Sequence, residues 1–313
     1  MHLLIPFASA LSPAAAQVLH DLALPNLSAL LARLTPTLRD DDDVFSALAP
    51  HERALAHAWG WHAAQGARPF AARAAAADGI DVGDRAWGLV TPVHWHLGRD
   101  HVTLVDPQAL ALTEAESRAA FDAVRGLFES EGFALHWGAP LRWYAAHASL
   151  ADLPCASLDR VIGRNVERWL RVAPQGRPEH RLIQRLQSEL QMLLYPHPLN
   201  EAREARGELT LNSFWLSGCG RAQPVIEAAV EVDGSLRAAL LADDWLAWAD
   251  AWRALDAGAL ARLRAAAANG QRVTLTLCGE RSAQRFESLP RSLGQRLLGR
   301  WKAPAPHTIL EGL

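Results

Sequence analysis

Short apolar runs alternate with Ala- and Leu-rich segments of helical period along this chain, and that alternation is its strongest constraint on the fold. Residues 3–7 and 272–280 are typical of buried strands. Ser12 and Pro13 fit the cap and first position of a helix that follows the first strand. Strands that alternate with helices favour a parallel sheet. The sequence therefore predicts an α/β fold with a mostly parallel sheet flanked by helices.

A different pattern in residues 85–150 predicts a second, smaller lobe. Two short strands flank the residues LGRD at 97–100, and two more strands follow a helix. Thr113 and Glu116 have the spacing of a capping box at the start of that helix. We expect an α+β lobe over residues 85–150, inserted into a main α/β domain made of residues 1–84 and 151–313.

Composition excludes several classes of function. The chain has 313 residues, half of them hydrophobic, and a net charge of −3, so no overall positive field favours nucleic acid. No apolar run reaches the roughly 18 residues of a membrane helix. The three cysteines, Cys155, Cys219 and Cys278, lack metal-ligand spacing and cannot all pair. These features predict a cytoplasmic protein without a disulfide framework and without nucleic-acid or membrane partners.

Two further segments carry structural predictions. Trp245, Trp248 and Trp252 lie on one face of a helix predicted from about residue 243 to 268, and this face should belong to the core. The acidic run of residues 40–43 is interpreted as a solvated helix start and not as a metal site.

Three histidines form the first candidate site. His94 and His96 share one face of a strand, and His101 would lie opposite His96 if LGRD closed a four-residue hairpin. Three convergent imidazoles could bind a metal such as Zn or Mn. The alternative is that Trp95 faces the core while the histidines line a polar surface.

The second candidate site is an anion site in residues 194–220. Asn200 can cap a short helix that carries Arg203 and Arg206 on one side, and His197 lies just before it. Guanidinium groups suit phosphate oxygens, and a loop at 217–220 could present backbone N–H groups. A tight turn with surface arginines explains the same residues equally well.

These segments carry a family resemblance. Residues 197–220 resemble archaeal-type, cofactor-independent phosphoglycerate mutases in the order of eight residues. They are His197, Pro198, Asn200, Arg203, Gly207, Asn212, Gly218 and Gly220. The middle lobe is also similar, with Val105, Asp106 and Pro107 in one strand and Arg142 in a later one. Over nearly its full length the chain resembles RpfE-type regulatory proteins, which share the His-Trp run and the Asn-Ser-Phe-Trp segment.

The resemblance implies an alkaline-phosphatase-like α/β fold with two divalent metals held by Asp and His, and a Ser nucleophile. The chain departs from that pattern where the metal ligands should be. Residues 6–9 replace an Asp-Gly turn after the first strand, and residues 278–282 replace an Asp-His-Ser run after a late strand. Arg281 in this second segment cannot ligate a metal, and we hypothesise that it occupies the space of a metal beside acids or a bound anion.

The expected function follows from these departures. We expect a non-catalytic, mutase-like protein, regulatory as the resemblance implies, which needs no cofactor and binds a protein or a small anionic ligand. Its expected ligand-binding residues are His197, Asn200, Arg203, Arg206, Asn212, Arg142 and Arg281, and no catalytic residue is assigned. Two alternatives stay open: an active mutase or phosphatase with an altered site near Ser9 or Ser12, and a metal-binding protein that uses the three histidines.

Overall fold

The computed structural model describes residues 1–43, 45–61, 68–170, 178–226, 229–289 and 305–313. The chain divides into two compact units. The first unit contains Met1–Gly60 and Val225–Leu313, and the second contains Trp61–Pro224. Both units combine strands with helices, so the predicted α/β class is confirmed. No helix in the described ranges is long and apolar enough to cross a membrane.

The elements are numbered here in chain order. The strands are β1 His2–Ile5, β2 Thr35–Asp41, β3 Ala86–Val93, β4 Trp95–Leu97, β5 Val102–Leu104, β6 Ala134–Ala139, β7 Arg142–Ala146, β8 Ser213–Arg221, β9 Val230–Val232, β10 Thr274–Cys278 and β11 Ser282–Glu287. The α-helices are α1 Pro13–Asp21, α2 Pro25–Arg33, α3 Pro50–Ala58, α4 Phe70–Ala77, α5 Glu114–Ser130, α6 Leu158–Val161, α7 Val166–Leu170, α8 Pro178–Leu194, α9 Pro198–Ala205, α10 Arg237–Leu241, α11 Trp245–Leu255, α12 Ala261–Ala268 and α13 Pro306–Glu311.

The sheet of the first unit has the strand order β2-β11-β10-β1-β9. Strands β9, β1 and β10 are parallel, as predicted, whereas β11 is antiparallel to both of its neighbours, β10 and β2, so that β2 again runs in the direction of β10. The antiparallel part arises because β10 and β11 are joined by the short connection Gly279–Arg281, which only a hairpin can use. The three parallel strands therefore end at one common edge, where β11 begins and β2 ends.

Helices cover both faces of this sheet. Leu3 and Ile5 of β1 pack with α1, α2, α11 and α12 on one face, while Leu4 between them packs toward α3 on the other. This alternation is the two-residue period of a strand buried on both faces. Residues 3–7 therefore read as an unbroken apolar run, in agreement with the sequence interpretation.

The tryptophans of α11 pack as predicted. Trp248 and Trp252 are fully buried in the larger core of the first unit, and Trp245 packs against the same core. Their rings meet edge to face, with centroids 6.0 Å apart for Trp245 and Trp248 and 6.3 Å apart for Trp248 and Trp252. Asp256–Leu260 forms one π-helical segment that joins α11 to α12, so the predicted long helix is interrupted by a wide turn.

The acidic run does not start a helix, so that prediction was wrong. Asp40 and Asp41 are the last residues of β2, an edge strand that pairs with β11 in the register Ala283↔Asp40 and Ser282↔Asp41. Edge strands tolerate charge and proline, and Pro36 lies in the same strand next to a register shift. The carboxylates of Asp40 and Asp41 therefore lie at the edge of the sheet where the parallel strands end.

The second unit is built on an antiparallel sheet with the order β6-β7-β3-β8. Helices α5 and α8 cover one face of this sheet, and α4 packs on the other. The predicted capping box of α5 is present, with the Thr113 hydroxyl accepting from the Glu116 N–H. The predicted hairpin strands also exist, as β4 and β5.

Strand β8 explains why the second unit extends beyond the predicted insert of residues 85–150. This strand pairs with β3 over its whole length, from Val93↔Ser213 to Ala86↔Arg221. The sequence predicts a loop at 217–220, within the residues 151–313 expected in the main domain. In the structure Gly218, Cys219 and Gly220 remain inside β8, beside a register shift at Gly88, and they do not form an anion-binding loop.

Candidate functional site

The carboxyl edge of the first sheet is the candidate functional site, because ligands of open α/β sheets bind beyond the carboxyl ends of parallel strands. After β1 the chain turns sharply at Phe7, whose φ is 57°. The Ala8 N–H then donates to the Cys278 carbonyl at 2.8 Å, so the ends of β1 and β10 stay joined. The Trp248 Nε1–H donates to the Phe7 carbonyl at 3.2 Å and supports the turn.

Ser9 and Ser12, the serines considered for an altered active site, lie in the segment after this turn. Ser9 is buried. The Ser12 hydroxyl accepts from the Ala14 N–H at 3.2 Å and caps α1, which is a structural role. One carboxylate approaches the segment, since Glu280 Oε2 accepts from the Leu11 N–H at 2.9 Å.

Arg53 of α3 organises the acidic end of β2. Its Nε donates to Asp40 Oδ2 at 3.0 Å, and its Nη1 lies 3.7 Å from Asp42 Oδ2. The same guanidinium donates to the carbonyls of Leu48 at 2.8 Å and Arg281 at 3.0 Å. The Arg53 side chain is only 13% exposed. A fixed positive charge thus lies beside two of the edge carboxylates and ties them to the β10–β11 turn.

Asp41 has its own cationic partner. Arg39 Nε lies 2.9 and 2.8 Å from its two carboxylate oxygens. Hydrogen bonds from Arg39 and Ser282 hold the pKa of Asp41 below its usual value, and the charge of Arg281 contributes in the same direction. The Arg281 side chain itself is exposed. The guanidinium groups in contact with these acids are therefore those of Arg53 and Arg39, and the exposed Arg281 contributes only through its charge.

Residues 305–313 pack against the same edge. The Leu313 oxygen accepts from the N–H groups of Arg281 at 3.1 Å and Ser282 at 2.8 Å, and the Gly312 oxygen accepts from Arg39 at 2.6 Å. Leu313 is buried against Gly279, where an added Cβ would come within 2.6 Å of the Leu313 Cβ. Gly279 is therefore needed for this close approach.

The donor set at this edge does not fit a pair of divalent metals. A two-metal phosphoryl-transfer site needs several unpaired Asp and His ligands. Here Asp40 and Asp42 lie beside Arg53, while Asp41 is paired with Arg39. Nowhere in the described residues does a group of three or more His, Cys, Asp or Glu side chains have an arrangement that could hold a metal.

In the described residues His94, His96 and His101 do not form such a group. The predicted hairpin register was wrong by one residue on each strand: His96 pairs with Thr103, and Gly98–His101 form the connecting loop. His94 precedes the hairpin, and its Nδ1 lies 2.8 Å from the Thr210 carbonyl oxygen. The turn shifts because Gly98 closes it through an N–H bond to the His101 carbonyl at 2.9 Å.

His197 and Asn200 of the predicted anion site make helix and loop contacts in the second unit. His197 Nδ1 accepts from the Leu199 N–H at 3.2 Å and caps α9. The buried Asn200 amide donates to the carbonyls of Leu194 and Leu211, both at 2.8 Å, and accepts from the Leu211 N–H at 2.9 Å. The two bonds with Leu211 tie α9 to the segment that leads into β8, and the bond to Leu194 ties it to the end of α8.

Arg203 and Arg206 lie side by side, as predicted, but each binds carboxylates of the protein. Arg203, 1% exposed, contacts Glu116 at 3.0 Å and donates to the carbonyls of Leu209 and Leu110. The exposed Arg206 binds Glu116 and Glu208, both at 2.7 Å. An incoming anion would have to displace these carboxylates.

Arg142 and Asn212 lie in separate clusters. Arg142 binds both oxygens of Asp78, at 3.1 and 2.9 Å, and the Tyr144 hydroxyl donates to Asp78 at 2.7 Å. Asn212 bridges the backbone of Trp95, accepting from its N–H at 2.7 Å and donating to its carbonyl at 3.0 Å. The structure does not bring these two residues together with Arg203 and Arg206 in one described site.

Replacing Asn200 by Ala tests its structural role. The change leaves one buried N–H and two buried carbonyls without these partners, and we expect a loss of about 1–3 kcal/mol in the free energy of unfolding. Urea titration followed by circular dichroism measures this loss. Glu204→Ala on the exposed side of the same helix is the control, with an expected change below about 0.5 kcal/mol. An unchanged midpoint for Asn200→Ala would contradict the role.

The Asp78 cluster predicts a pH dependence. The Arg142 hydrogen bonds, followed by that of Tyr144, lower the pKa of Asp78 despite its partial burial. A carboxyl with a lowered folded pKa contributes stability above its unfolded pKa of about 3.9, and this contribution is lost as the pH falls through the folded value. Arg142→Gln should therefore destabilise the protein at pH ~6 and less so at pH ~3, as measured by urea unfolding. An equal difference at both pH values would contradict the assignment.

Comparisons with known proteins give only distant similarities. Over 91% of its length the chain is similar to the PH0037 protein from Pyrococcus horikoshii, with 14% identity, 86% of that chain covered and a TM-score of 0.46. It is also similar over 91% of its length to the cofactor-independent phosphoglycerate mutase from Thermoplasma acidophilum DSM 1728, with 14% identity, 89% of that chain covered and a TM-score of 0.36. Both similarities are too weak to establish a fold family. No protein-family model and no curated protein matches the sequence.

Arg53 is the residue of this site that sequence reasoning missed. Its partners Asp40 and Arg281 are 13 and 228 residues away in sequence. Its position in a helix that starts at Pro50 gives no local sign of either contact. The acidic run was a signal in the sequence, since a nearby cation stabilises neighbouring carboxylates in their charged form.

Proposed function

We propose that this chain is a non-catalytic, phosphoglycerate-mutase-like protein that regulates by binding a protein or a small anionic ligand in the cytoplasm. The mutase-like assignment is supported by the residue order from His197 to Gly220 and by an α/β sheet whose parallel strands end at one edge. The proposal includes no resident metal or cofactor. It also includes no nucleic-acid or membrane partner, given the net charge of −3.

One observation carries the non-catalytic part of the proposal: the edge carboxylates are paired with arginine. Asp40 and Asp42 share the Arg53 guanidinium, and Asp41 binds Arg39. A divalent ion could use the oxygens of Asp40 and Asp42 only after displacing Arg53, which is 13% exposed and donates to two backbone carbonyls as well. The carboxyl edge of the sheet is therefore present, but its carboxylates are neutralised by arginine and not by the metal ions that metal-assisted phosphoryl transfer requires.

The two other hypotheses have less support. An altered active site requires an activating base near Ser9 or Ser12, and Ser12 is used as a helix cap. The three-histidine site requires a hairpin register in which His96 and His101 face each other, and His96 pairs with Thr103 instead.

Calorimetric titration with Mn²⁺ tests whether the arginine pairs block the acidic edge. We expect no saturable binding to the wild type or to Arg53→Lys, which keeps the positive charge. Arg53→Gln removes that charge from Asp40 and Asp42, so it should bind more Mn²⁺ than either. Circular dichroism confirms that each variant is folded before titration. Tight, stoichiometric Mn²⁺ binding by the wild type would contradict the proposal.

A parallel titration tests the ligand. The probes are 3-phosphoglycerate and inorganic phosphate, each added to wild-type protein. Saturable binding of either probe without turnover would support a small anionic ligand. If neither probe binds, the result would favour a protein as the binding partner.

A further inference from the structure

Two thiols lie close together in the second unit. Cys155 Sγ and Cys219 Sγ are 3.6 Å apart, although the residues are 64 positions apart in sequence. Both are free cysteines in the structure, and Cys155 is partly exposed while Cys219 is buried. A disulfide has an S–S bond of about 2.05 Å, so the sulfurs need to approach by only about 1.5 Å.

The backbone holds the Cys219 thiol in place from the strand side. Gly218 and Gly220 flank it in β8 with φ of 61° and 145°, and α4 packs on them so closely that an added Cβ on Gly218 would lie 2.9 Å from the Ala71 nitrogen. On β3 a Cβ on Gly88 would lie 3.2 Å from the Cys219 sulfur. The strand therefore leaves room for this thiol and fixes its position.

The Cys155 thiol lies in a part of the backbone that is less regular than β8. Cys155 lies between the 3₁₀ turn Ala148–Leu150 and α6, in a segment without helix or strand. The next residue, Ala156, anchors the segment by accepting from Trp215 Nε1 at 2.8 Å. Because Cys155 itself lies outside any helix or strand, a small local movement can bring the two sulfurs to bonding distance, while the Ala156 bond keeps the segment beside β8.

A pocket gives small molecules access to Cys155. Cys155 lines it together with Leu153, Trp169 and Trp215, and the pocket has an empty volume of about 430 Å³, part of it open to solvent. An oxidant as small as hydrogen peroxide can enter such a space. The partly exposed thiol in its wall is then the one that reacts first, since reactivity follows access.

We propose that Cys155 and Cys219 form a reversible disulfide, with Cys155 as the thiol that meets the oxidant and Cys219 as the resolving thiol. The hydrogen bond to Cys155, together with burial, raises the pKa of Cys219 well above its usual value, in keeping with this order of events. The bridge would fix the segment before α6 to β8.

The chemistry is balanced with a peroxide as the oxidant. The Cys155 thiolate attacks one peroxide oxygen, an S–O bond forms, the O–O bond breaks, and the leaving hydroxide takes up a proton to give water. Cys219 sulfur then attacks Cys155 sulfur, the S–S bond forms, the S–O bond breaks, and hydroxide leaves with the Cys219 proton as a second water. Two thiols are oxidised by two electrons and one peroxide is reduced.

The test treats the full chain with hydrogen peroxide and counts thiols after denaturation and alkylation. We expect the three free thiols of the reduced protein to fall to one, the mass of two hydrogens to be lost, and peptide mapping to identify a Cys155–Cys219 cross-link. Dithiothreitol should restore all three thiols. Cys278 lies fully buried in the first unit and burial raises the pKa of its thiol, so Cys278→Ala is the matched control and should form the cross-link normally.

A second variant, Cys219→Ala, gives a positive signal that misfolding would not produce. In Cys219→Ala the sulfenic acid on Cys155 has no resolving thiol, so it should accumulate and be labelled by dimedone, whereas the wild type should not be labelled. Direct oxidation of wild-type Cys155 to sulfinic acid, or a cross-link only between different chains, would overturn the proposal.

Discussion

Replacing Arg203 by Met is expected to lower the free energy of unfolding by about 3–5 kcal/mol, because it removes one of the two arginine partners of Glu116 and the donor of two backbone carbonyls. Arg203 is 1% exposed and contacts Glu116, which is only 16% exposed. The methionine also cannot donate to the carbonyls of Leu209 and Leu110. Guanidinium chloride unfolding with an unchanged m-value would show that the effect is a loss of stability.

Arg206→Met is the matched control for this prediction. Arg206 contacts the same Glu116 but is exposed, so its pair is screened by water and the change in stability should be small. The comparison also separates a structural role from a ligand-binding role. If both variants were as stable as the wild type and both lost phosphate binding, the two arginines would be an anion site and the structural assignment would be wrong.

Replacing Trp248 by Ala should be equally costly. The indole is fully buried between Trp245 and Trp252, and its removal leaves a cavity, so we expect a loss of about 3–5 kcal/mol. The change also removes the hydrogen bond to the Phe7 carbonyl, which supports the turn after β1. Thermal and urea unfolding measure the loss.

Leu246→Ala on the same helix is the control for the tryptophan. Leu246 is 82% exposed, and we expect its truncation to change stability by less than about 0.5 kcal/mol. Trp248→Phe should fall between the two, since it keeps much of the buried area but not the N–H donor. A small effect of Trp248→Ala would mean that α11 does not belong to the core as described.

The parts of the fold that depend on local periodicity could be predicted from the sequence. The Trp245, Trp248 and Trp252 face, the Thr113 capping box and the strand before Gly279 follow from residues close in the chain. The sequence did not identify the partner of β8, because β3 is more than 100 residues away and an apolar run does not indicate which strand it pairs with. The hairpin register was also wrong, with His96 opposite Thr103 and not His101, since the four-residue loop begins at Gly98, one position later than LGRD suggests.

The candidate site was less predictable than the fold. The sequence identified the departures at residues 6–9 and 278–282, and the structure places both at the carboxyl edge of the first sheet. The cation that lies beside the acids could not be read from the sequence, since Arg53 reaches Asp40 and the Arg281 carbonyl only through tertiary packing. Arg203 and Arg206, which were predicted to bind an anion, bind Glu116 instead. Glu116 is far from both in sequence, so the sequence does not indicate these ion pairs.

The central claim is that this edge has lost metal-assisted phosphoryl transfer, and one measurement tests it directly. Tag-free protein is analysed for Mn, Zn, Fe and Mg, and the same sample is assayed for interconversion of 3- and 2-phosphoglycerate in a coupled assay, with an active cofactor-independent mutase as positive control. We predict neither stoichiometric metal nor turnover. Stoichiometric metal together with turnover would contradict the account and would show that the arginine-paired carboxylates rearrange into ligands.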